Sequence, residues 1–287
     1  MPPDVNNWLQ LAFRWLHVIA GVMWIGHLWF FNFVNGQVAK TYDADSKKKV
    51  VPELMPRALY WFRWGAAYTF ITGILLLGLI YYMGVKVTPR VIEPEGRLVV
   101  SEGLAAAIGL GVPLIAFVIY DAMWKALQKQ EMAGAVLSFV LLVGVAFGLG
   151  QVFSGRAVLI HIGATMGIIM AANVWMRIWP NQRRIITSIK EGKAPDAAWA
   201  ALAGLRSKHN TYMSMPLLFL MISNHYASYV YGTSNDPIYT PVFVAGFVAA
   251  GWAIAKFCFV KSGTPAPTQY LIELPAAPAP AASADKK

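Results

Sequence analysis

Long, nearly continuous apolar runs constrain the fold of this chain more than any other feature of its sequence. Several runs reach about 18 residues or more, which as helices are long enough to cross a hydrocarbon core about 30 Å thick. Of 287 residues, 57% are hydrophobic and 13% charged, a composition that argues against a water-soluble domain. The runs do not alternate every second residue, which argues against a β-barrel. The sequence therefore predicts an all-α, polytopic transmembrane helix bundle.

Seven spans are predicted within one transmembrane helical domain, residues 1–260. Their approximate limits are 8–34, 64–83, 103–120, 132–150, 157–176, 212–231 and 238–260. A segment near 195–208 has a capping residue, Asp196, followed by apolar residues at helical spacing, which predicts an amphipathic helix on the cytoplasmic membrane surface. Residues 261–287 are rich in proline and alanine, a composition that predicts a disordered cytoplasmic tail.

The distribution of lysine and arginine sets the predicted orientation. The net charge is +10, but the basic residues lie between apolar runs, so we expect a lipid bilayer with anionic headgroups as partner and no nucleic acid. The loops after the first, third and fifth predicted spans hold most of these residues. The positive-inside rule therefore places the N-terminus outside and the C-terminus in the cytoplasm.

Three histidines on separate predicted spans share the outer half of the bilayer. At about 1.5 Å per residue, His17, His161 and His225 lie roughly 6 to 12 Å from the outer ends of their helices. Ionisable side chains are costly to place in lipid and are functional candidates by default. The alternative is that they are hydrogen-bonded packing residues. Their shared depth favours ligation of a haem iron or another metal ion by at least two of them.

A b-type haem in a helix bundle needs imidazole ligands from facing helices and small residues beside the macrocycle. Four residues of the first span fall on one helical face: Arg14, His17, Gly21 and Trp24. In that order they would supply a basic group, an iron ligand, space for the macrocycle and an aromatic surface. Asn224 precedes His225 and is a candidate for orienting a ligand. We therefore predict haem b, with these residues in its binding site.

Other residue patterns narrow the possible chemistry. The single cysteine, Cys258, excludes covalent c-type haem, whose attachment needs Cys-x-x-Cys-His. The predicted spans contain no paired carboxylates, which disfavours a transporter with an acidic relay. An anionic substrate would need a basic group, and the sequence leaves two sides open: Arg14 with His17 and Trp24 outside, or Arg63, Lys208 and His209 inside.

Three segments resemble a known family. The first is WLHVIAGVMWIG at 15–26, and the second is WFRW at 61–64 with TGILLL eight residues later. The third and most specific is RSKHNTYMSMP at 206–216, which continues to MISNHY at 221–226. Together they resemble the membrane domain of the bacterial membrane-bound urate hydroxylases, the urate oxidase N-terminal family.

This resemblance implies a multi-pass oxidoreductase of the bacterial inner membrane, active in purine catabolism and electron transport. Family members hydroxylate urate with water and pass electrons to a cytochrome c, which long members carry after an additional span. This sequence has no haem-attachment motif, so we expect a separate cytochrome c as partner. The residues that match the family motifs within or beside spans are His17, Trp24, His209, Asn210, Asn224 and His225.

One departure from the family keeps alternative functions open. The family carries a His- and Gly-rich stretch between its first two spans, where this chain has KTYDADSKKK at 40–49. If that stretch binds urate, this chain acts on a related compound instead. We therefore keep three functions: a urate hydroxylase-like oxidase with Arg14, Arg63, His209 and Asn210 as catalytic candidates; a haem b electron-transfer subunit of a respiratory complex without an organic substrate; and a small-molecule transporter or scaffold.

Overall fold

Seven helices make up the computed structural model, which describes residues 3–83, 100–226 and 239–264. The helices are α1 Pro3–Val38, α2 Ala44–Tyr82, α3 Glu102–Ala126, α4 Glu131–Gly150, α5 Gly155–Lys190, α6 Ala197–Ile222 and α7 Tyr239–Ser262. No β-strand occurs among the described residues. The all-helical fold is therefore confirmed.

Six of the seven helices are long and apolar enough to cross a membrane, and α6 is the exception. The multi-pass membrane fold is confirmed, with six such helices among the described residues; the sixth predicted span, 212–231, extends beyond them. The orientation of the bundle stays a prediction. The tail beyond residue 264, the end of the sixth predicted span and the first residue of the seventh lie outside the described residues.

Capping side chains start several of these helices. The Asp43 carboxylate accepts a hydrogen bond from the Ser46 backbone N–H, 2.6 Å away, at the start of α2. Hydrogen bonds from Ser46 hold the pKa of the Asp43 carboxyl below its ordinary value. Asp196 accepts from the Ala198 backbone N–H in the same way, so the predicted cap of that helix is present.

Helices α2, α5 and α6 are longer than the predicted spans. The predicted amphipathic segment near 195–208 and the start of the predicted span 212–231 form one continuous helix, α6. The helix continues because its polar residues, among them Arg206 and Asn210, are buried against neighbouring helices. Hydropathy alone places such residues in a loop.

α5 lies at the centre of the bundle. In its most apolar stretch 78% of residues are buried, against 33% or less in the other five candidate spans. It packs against α2, α3, α4, α6 and α7. Polar side chains on α5 are therefore shielded from lipid by other helices.

Three short π-helical segments interrupt the regular helices: Phe30–Asn35 in α1, Gly78–Tyr82 at the end of α2 and Val174–Ile178 in α5. Such wide turns are rare and concentrate at functional sites. The segment in α5 directly follows Asn173 and contains Arg177, and the segment in α2 ends at Tyr82. Two of the three therefore border the polar clusters described below.

Candidate functional site

Polar side chains from α3, α5 and α6 meet inside the bundle. We call this group the polar core; it consists of Tyr120, Asp121, Asn173, Arg177, Arg206, His209 and Asn210. Tyr120 and Asp121 are neighbours on α3, and the other five lie three or four residues apart on α5 or α6, spacings that put them on one helix face. Hydrogen bonds and ion pairs between the three helices connect these side chains inside the bundle.

Asp121 is the anionic centre of the polar core. Its carboxylate accepts hydrogen bonds from Arg177 Nε at 2.9 Å and from Arg206 Nη2 at 3.0 Å. Lys125 Nζ forms a third ion pair at 2.9 Å. One carboxylate thus faces three cations, of which Arg206 is buried, Arg177 is partly exposed and Lys125 is exposed. The cluster as a whole carries an excess of positive charge. Such a site favours an anionic ligand.

Arg206 has unused hydrogen-bonding capacity. Its side chain is fully buried, yet Nε and Nη1 have no hydrogen-bond partner among the described residues. The guanidinium carbon lies 4.9 Å from the centre of the Tyr120 ring. Asn173 Oδ1 is likewise buried without a partner in the described part of the chain. Because unpaired buried donors and acceptors are rare and destabilising, these atoms mark a place for a ligand or water.

A chain of side-chain hydrogen bonds links α5, α6 and α3. Asn210 Nδ2 donates to the Met170 carbonyl at 2.9 Å, and Asn173 Nδ2 donates to Asn210 Oδ1 at 2.9 Å. Asn173 Nδ2 also donates to the Tyr120 hydroxyl at 3.0 Å. That hydroxyl lies 2.9 Å from His209 Nδ1. The chain holds a tyrosine and a histidine in fixed positions.

An aromatic wall covers one side of this histidine. The ring centre of Trp124 lies 4.0 Å from that of His209, with the rings tilted by 50°. Trp124 is itself held by a hydrogen bond from Nε1 to Ser138 on α4. An aromatic surface, a buried guanidinium and a histidine thus occur together, as binding of a planar anion requires.

A second tyrosine–histidine pair lies elsewhere in the bundle. His161, fully buried on α5, donates from Nδ1 to its own helix at Ala157 O, 2.6 Å away, and its Nε2 is hydrogen-bonded to the Tyr82 hydroxyl. A Cβ atom at Gly109 would lie 1.8 Å from this hydroxyl and 2.7 Å from Nε2. Glycine therefore lets α3 approach the pair closely. An iron ion at Nε2 would have to displace the Tyr82 hydroxyl.

His17 offers a different arrangement. Nδ1 lies 3.0 Å from Thr72 Oγ1, and Oγ1 donates its own hydrogen to Tyr68 O at 2.6 Å. His17 Nδ1 must therefore carry the hydrogen in this bond, which leaves the lone pair on Nε2. A metal-ligating histidine is typically oriented by such a hydrogen bond on its other ring nitrogen. Gly73 adjoins this ring, with its Cβ position 3.1 Å from His17 Cε1.

The other predicted haem-site residues do not gather around His17. Arg14 is exposed and bonds to Gln10 on its own helix, whereas Trp24 is buried against α2. A Cβ at Gly21 would meet no atom within 4 Å. His225 is exposed in a short 3-10 turn, and the Asn224 side chain lies outside the description.

No metal site with three or more His, Cys, Asp or Glu ligands occurs within residues 3–83, 100–226 and 239–264. Haem needs only one or two protein ligands, so haem b stays a prediction. Of its three predicted histidine ligands, His17 has the geometry that fits best.

The four predicted catalytic residues divide among three places. His209 and Asn210 lie in the polar core. Arg63 instead lies among aromatic rings, with its guanidinium carbon 4.1 Å from the Trp179 ring centre. Arg14, as described above, is exposed. The structure therefore unites only the two residues that come from the third family-like segment.

Sequence reasoning missed five residues of these clusters: Tyr82, Tyr120, Asp121, Arg177 and Arg206. Asp121 carried a usable signal, because it is a lone acidic residue directly after an apolar run and such residues are functional candidates. Arg177 falls in the basic loop that the sequence predicts after the fifth span. The two tyrosines carry no sequence signal of their own, since their importance comes from histidines on other helices.

Comparison with known families identifies one family whose model matches this chain. The family model described as urate oxidase N-terminal matches residues 3–50 and 41–274. The matched region includes every helix and the whole polar core. Neither the comparison with curated proteins nor that with solved structures gives a match. The family model covers most of the chain, and the chain therefore belongs to the urate oxidase N-terminal family.

Proposed function

We propose that this protein is a membrane-embedded oxidoreductase that oxidises urate or a closely related planar anion in the polar core. Family membership supports the reaction class. The single observation that carries the site is Arg206, a fully buried arginine with two donor nitrogens that have no partner among the described residues. A guanidinium presents its donors as a rigid planar fork, which matches an anionic edge of a heterocycle.

The remaining groups complement a purine-like anion. Asn173 Oδ1, buried and without a partner in the described chain, can accept a hydrogen bond from a ring N–H. Trp124 and Tyr120 offer aromatic faces beside His209. Sites that pair buried polar groups with a substrate reject analogues lacking those groups. We therefore expect the site to prefer urate over purines without its carbonyl oxygens.

The reaction produces electrons that must leave the site. Addition of a hydroxyl group from water to urate forms a carbon–oxygen bond and releases two protons and two electrons. A cytochrome c takes one electron at a time, so each turnover reduces two molecules of it. We propose a separate cytochrome c in the bacterial inner membrane system as that acceptor, in agreement with the family resemblance.

Anaerobic turnover with the purified protein in nanodiscs tests this proposal. Urate loss and reduction of added cytochrome c are recorded together by absorbance, and we expect two cytochromes reduced per urate consumed. Arg206→Lys keeps the charge but loses the fork, so urate oxidation should fall by about tenfold or more. Arg57→Lys is the matched control, because in the described part of the chain Arg57 pairs with Glu53 alone, at an exposed site.

Two results would refute the proposal. One is wild-type protein that neither binds urate in an equilibrium binding assay nor consumes it. The other is an Arg206→Lys variant with unchanged urate affinity and unchanged turnover, which would move the site away from the polar core.

His17 supports a second candidate, a haem b electron-transfer subunit. Its Nδ1–H is fixed by Thr72 and its Nε2 lone pair is left for a ligand bond. Bound haem would supply a one-electron carrier. A reduced-minus-oxidised absorbance spectrum with pyridine haemochrome quantification tests this candidate. The absence of haem after expression with ample haem supply would eliminate it.

A further inference from the structure

The hydrogen-bond chain in the polar core can be followed one hydrogen at a time. The Met170 carbonyl can only accept, so the atom of Asn210 that faces it must be the amide nitrogen. Asn210 Oδ1 therefore faces Asn173 as an acceptor, which requires the amide nitrogen of Asn173 at that contact. A backbone carbonyl thus fixes the orientation of two side-chain amides in succession.

The same logic fixes the Tyr120 hydroxyl. Asn173 Nδ2 has two hydrogens, and it donates one to Asn210 and the other to the Tyr120 oxygen. The Tyr120 hydrogen then has a single acceptor among the described residues, His209 Nδ1 at 2.9 Å. If Nδ1 carried a hydrogen instead, the tyrosine hydrogen would be buried without an acceptor, which is strongly unfavourable.

We infer that His209 is held in the tautomer with its hydrogen on Nε2, and that it meets the substrate as a hydrogen-bond donor. This inference rests on the proposed function for the identity of the substrate. Asn210 is then a positioning residue, and the Tyr120 hydroxyl and Asn173 Nδ2 act in the same way. Asn173 Oδ1 and the face of the Tyr120 ring stay available to the substrate. His209 donates from Nε2, so its role is to hold a substrate oxygen or ring anion beside Arg206. It does not deprotonate water at that atom.

The second tyrosine–histidine pair provides a matched control within the same chain. The tautomer of His161 is set by the Ala157 carbonyl, which accepts from Nδ1. Removing the Tyr82 hydroxyl therefore leaves the His161 tautomer unchanged. Removing the Tyr120 hydroxyl leaves His209 Nδ1 without its donor, so the His209 tautomer is no longer fixed.

Nitrogen-15 NMR of histidine-labelled protein distinguishes the two ring tautomers directly. Signals are assigned with His209→Gln and His161→Gln, and spectra are recorded without substrate for wild type, Tyr120→Phe and Tyr82→Phe. We expect the Nε2–H tautomer for His209 and the Nδ1–H tautomer for His161 in the wild type. Tyr120→Phe should raise the Nδ1–H population of His209, whereas Tyr82→Phe should leave His161 unchanged.

Kinetics give a second measurement. Tyr120→Phe should raise the KM for urate by about tenfold, the size expected for one hydrogen bond to a charged substrate, and should change the pH profile of binding. Asn210→Ser, which shortens the chain at its start, is the second variant if Tyr120→Phe folds poorly, and it should loosen the same tautomer.

Wild-type His209 in the Nδ1–H form, or a Tyr120→Phe variant with an unchanged His209 spectrum, would overturn the inference. The NMR spectra need no substrate, so the two proposals can fail separately. The Nε2–H tautomer in a protein that does not oxidise urate would count against the proposed function while supporting the hydrogen-bond chain.

Discussion

The Thr72 hydroxyl on α2 accepts a hydrogen bond from His17 Nδ1 on α1, with 3.0 Å between the atoms. Thr72 can accept because it donates its own hydrogen to Tyr68 O. The bond therefore joins the two helices and fixes the ring of the histidine. The contribution of this hydrogen bond to the packing of α1 on α2 and to the orientation of the His17 ring can be measured.

Replacing Thr72 with valine should destabilise the packing of α1 on α2. The change removes the acceptor of His17 but keeps the shape of the side chain, so we expect a loss of about 1 kcal/mol in the free energy of unfolding. Unfolding in a detergent titration provides the measurement. Thr69→Val is the control, since among residues 3–83, 100–226 and 239–264 the Thr69 hydroxyl bonds only to Gly65 O, within its own helix. Equal losses in both variants would show that the interhelical bond adds nothing.

Replacing Gly109 with alanine should disturb the Tyr82–His161 pair. The new methyl group would lie 1.8 Å from the Tyr82 hydroxyl, so either the tyrosine or α3 must move. We expect about 1–3 kcal/mol of destabilisation, the usual range for overpacking. Gly111→Ala tests the specificity of this effect, because a Cβ there meets no atom within 4 Å. A Gly109→Ala protein as stable as Gly111→Ala would contradict the close packing.

Replacing Asp121 with asparagine should be the most damaging of these changes. It leaves Arg206 and Arg177 without their anionic partner inside the bundle, and breaking a buried ion pair from one side costs about 3–5 kcal/mol. Yield of folded protein and thermal stability in detergent are the measurements. Glu131→Gln removes an exposed ion pair with Lys208 and should cost less than about 1 kcal/mol. Similar stability of the two variants would mean that Asp121 is not the centre of the charge cluster.

If haem b is present, His17→Ala should abolish its reduced-minus-oxidised spectrum. His27→Ala should retain that spectrum, because His27 Nδ1 bonds only to Met23 O one turn away on α1 and belongs to neither tyrosine–histidine pair. The measurement is haem content per polypeptide by pyridine haemochrome. A His17→Ala protein with full haem content would rule out His17 as ligand.

The sequence was sufficient to predict the fold class because hydropathy reports directly on lipid exposure. It failed at α6 for the same physical reason. Arg206 and Asn210 lower the hydropathy of that helix, although both are buried. Hydropathy averaged over a window of residues cannot distinguish a polar side chain that faces water from one that faces a carboxylate or amide inside the bundle.

The candidate site was predictable only in part. His209 and Asn210 came from the third family-like segment, and the structure places them together. Their partners Tyr120 and Asn173 could not be assigned, because the sequence does not give the rotation of one helix against another. The same problem affects Arg14, His17 and Trp24, which the helical repeat places on one face of α1. The repeat identifies residues that share a face, but the position of the neighbouring helix decides which of them are buried.

The polar face of α6 also bears on how this protein is assembled. By length and composition, six helices are apolar enough to cross a membrane. α6 is not among them, and an unpaired arginine in hydrocarbon is costly. Because Arg206 pairs with Asp121 on α3 and Asn210 bonds to Asn173 on α5, we expect stable insertion of α6 to need both helices in the membrane beforehand. Both precede α6 in the chain, so the order of synthesis provides its partners before α6 leaves the ribosome.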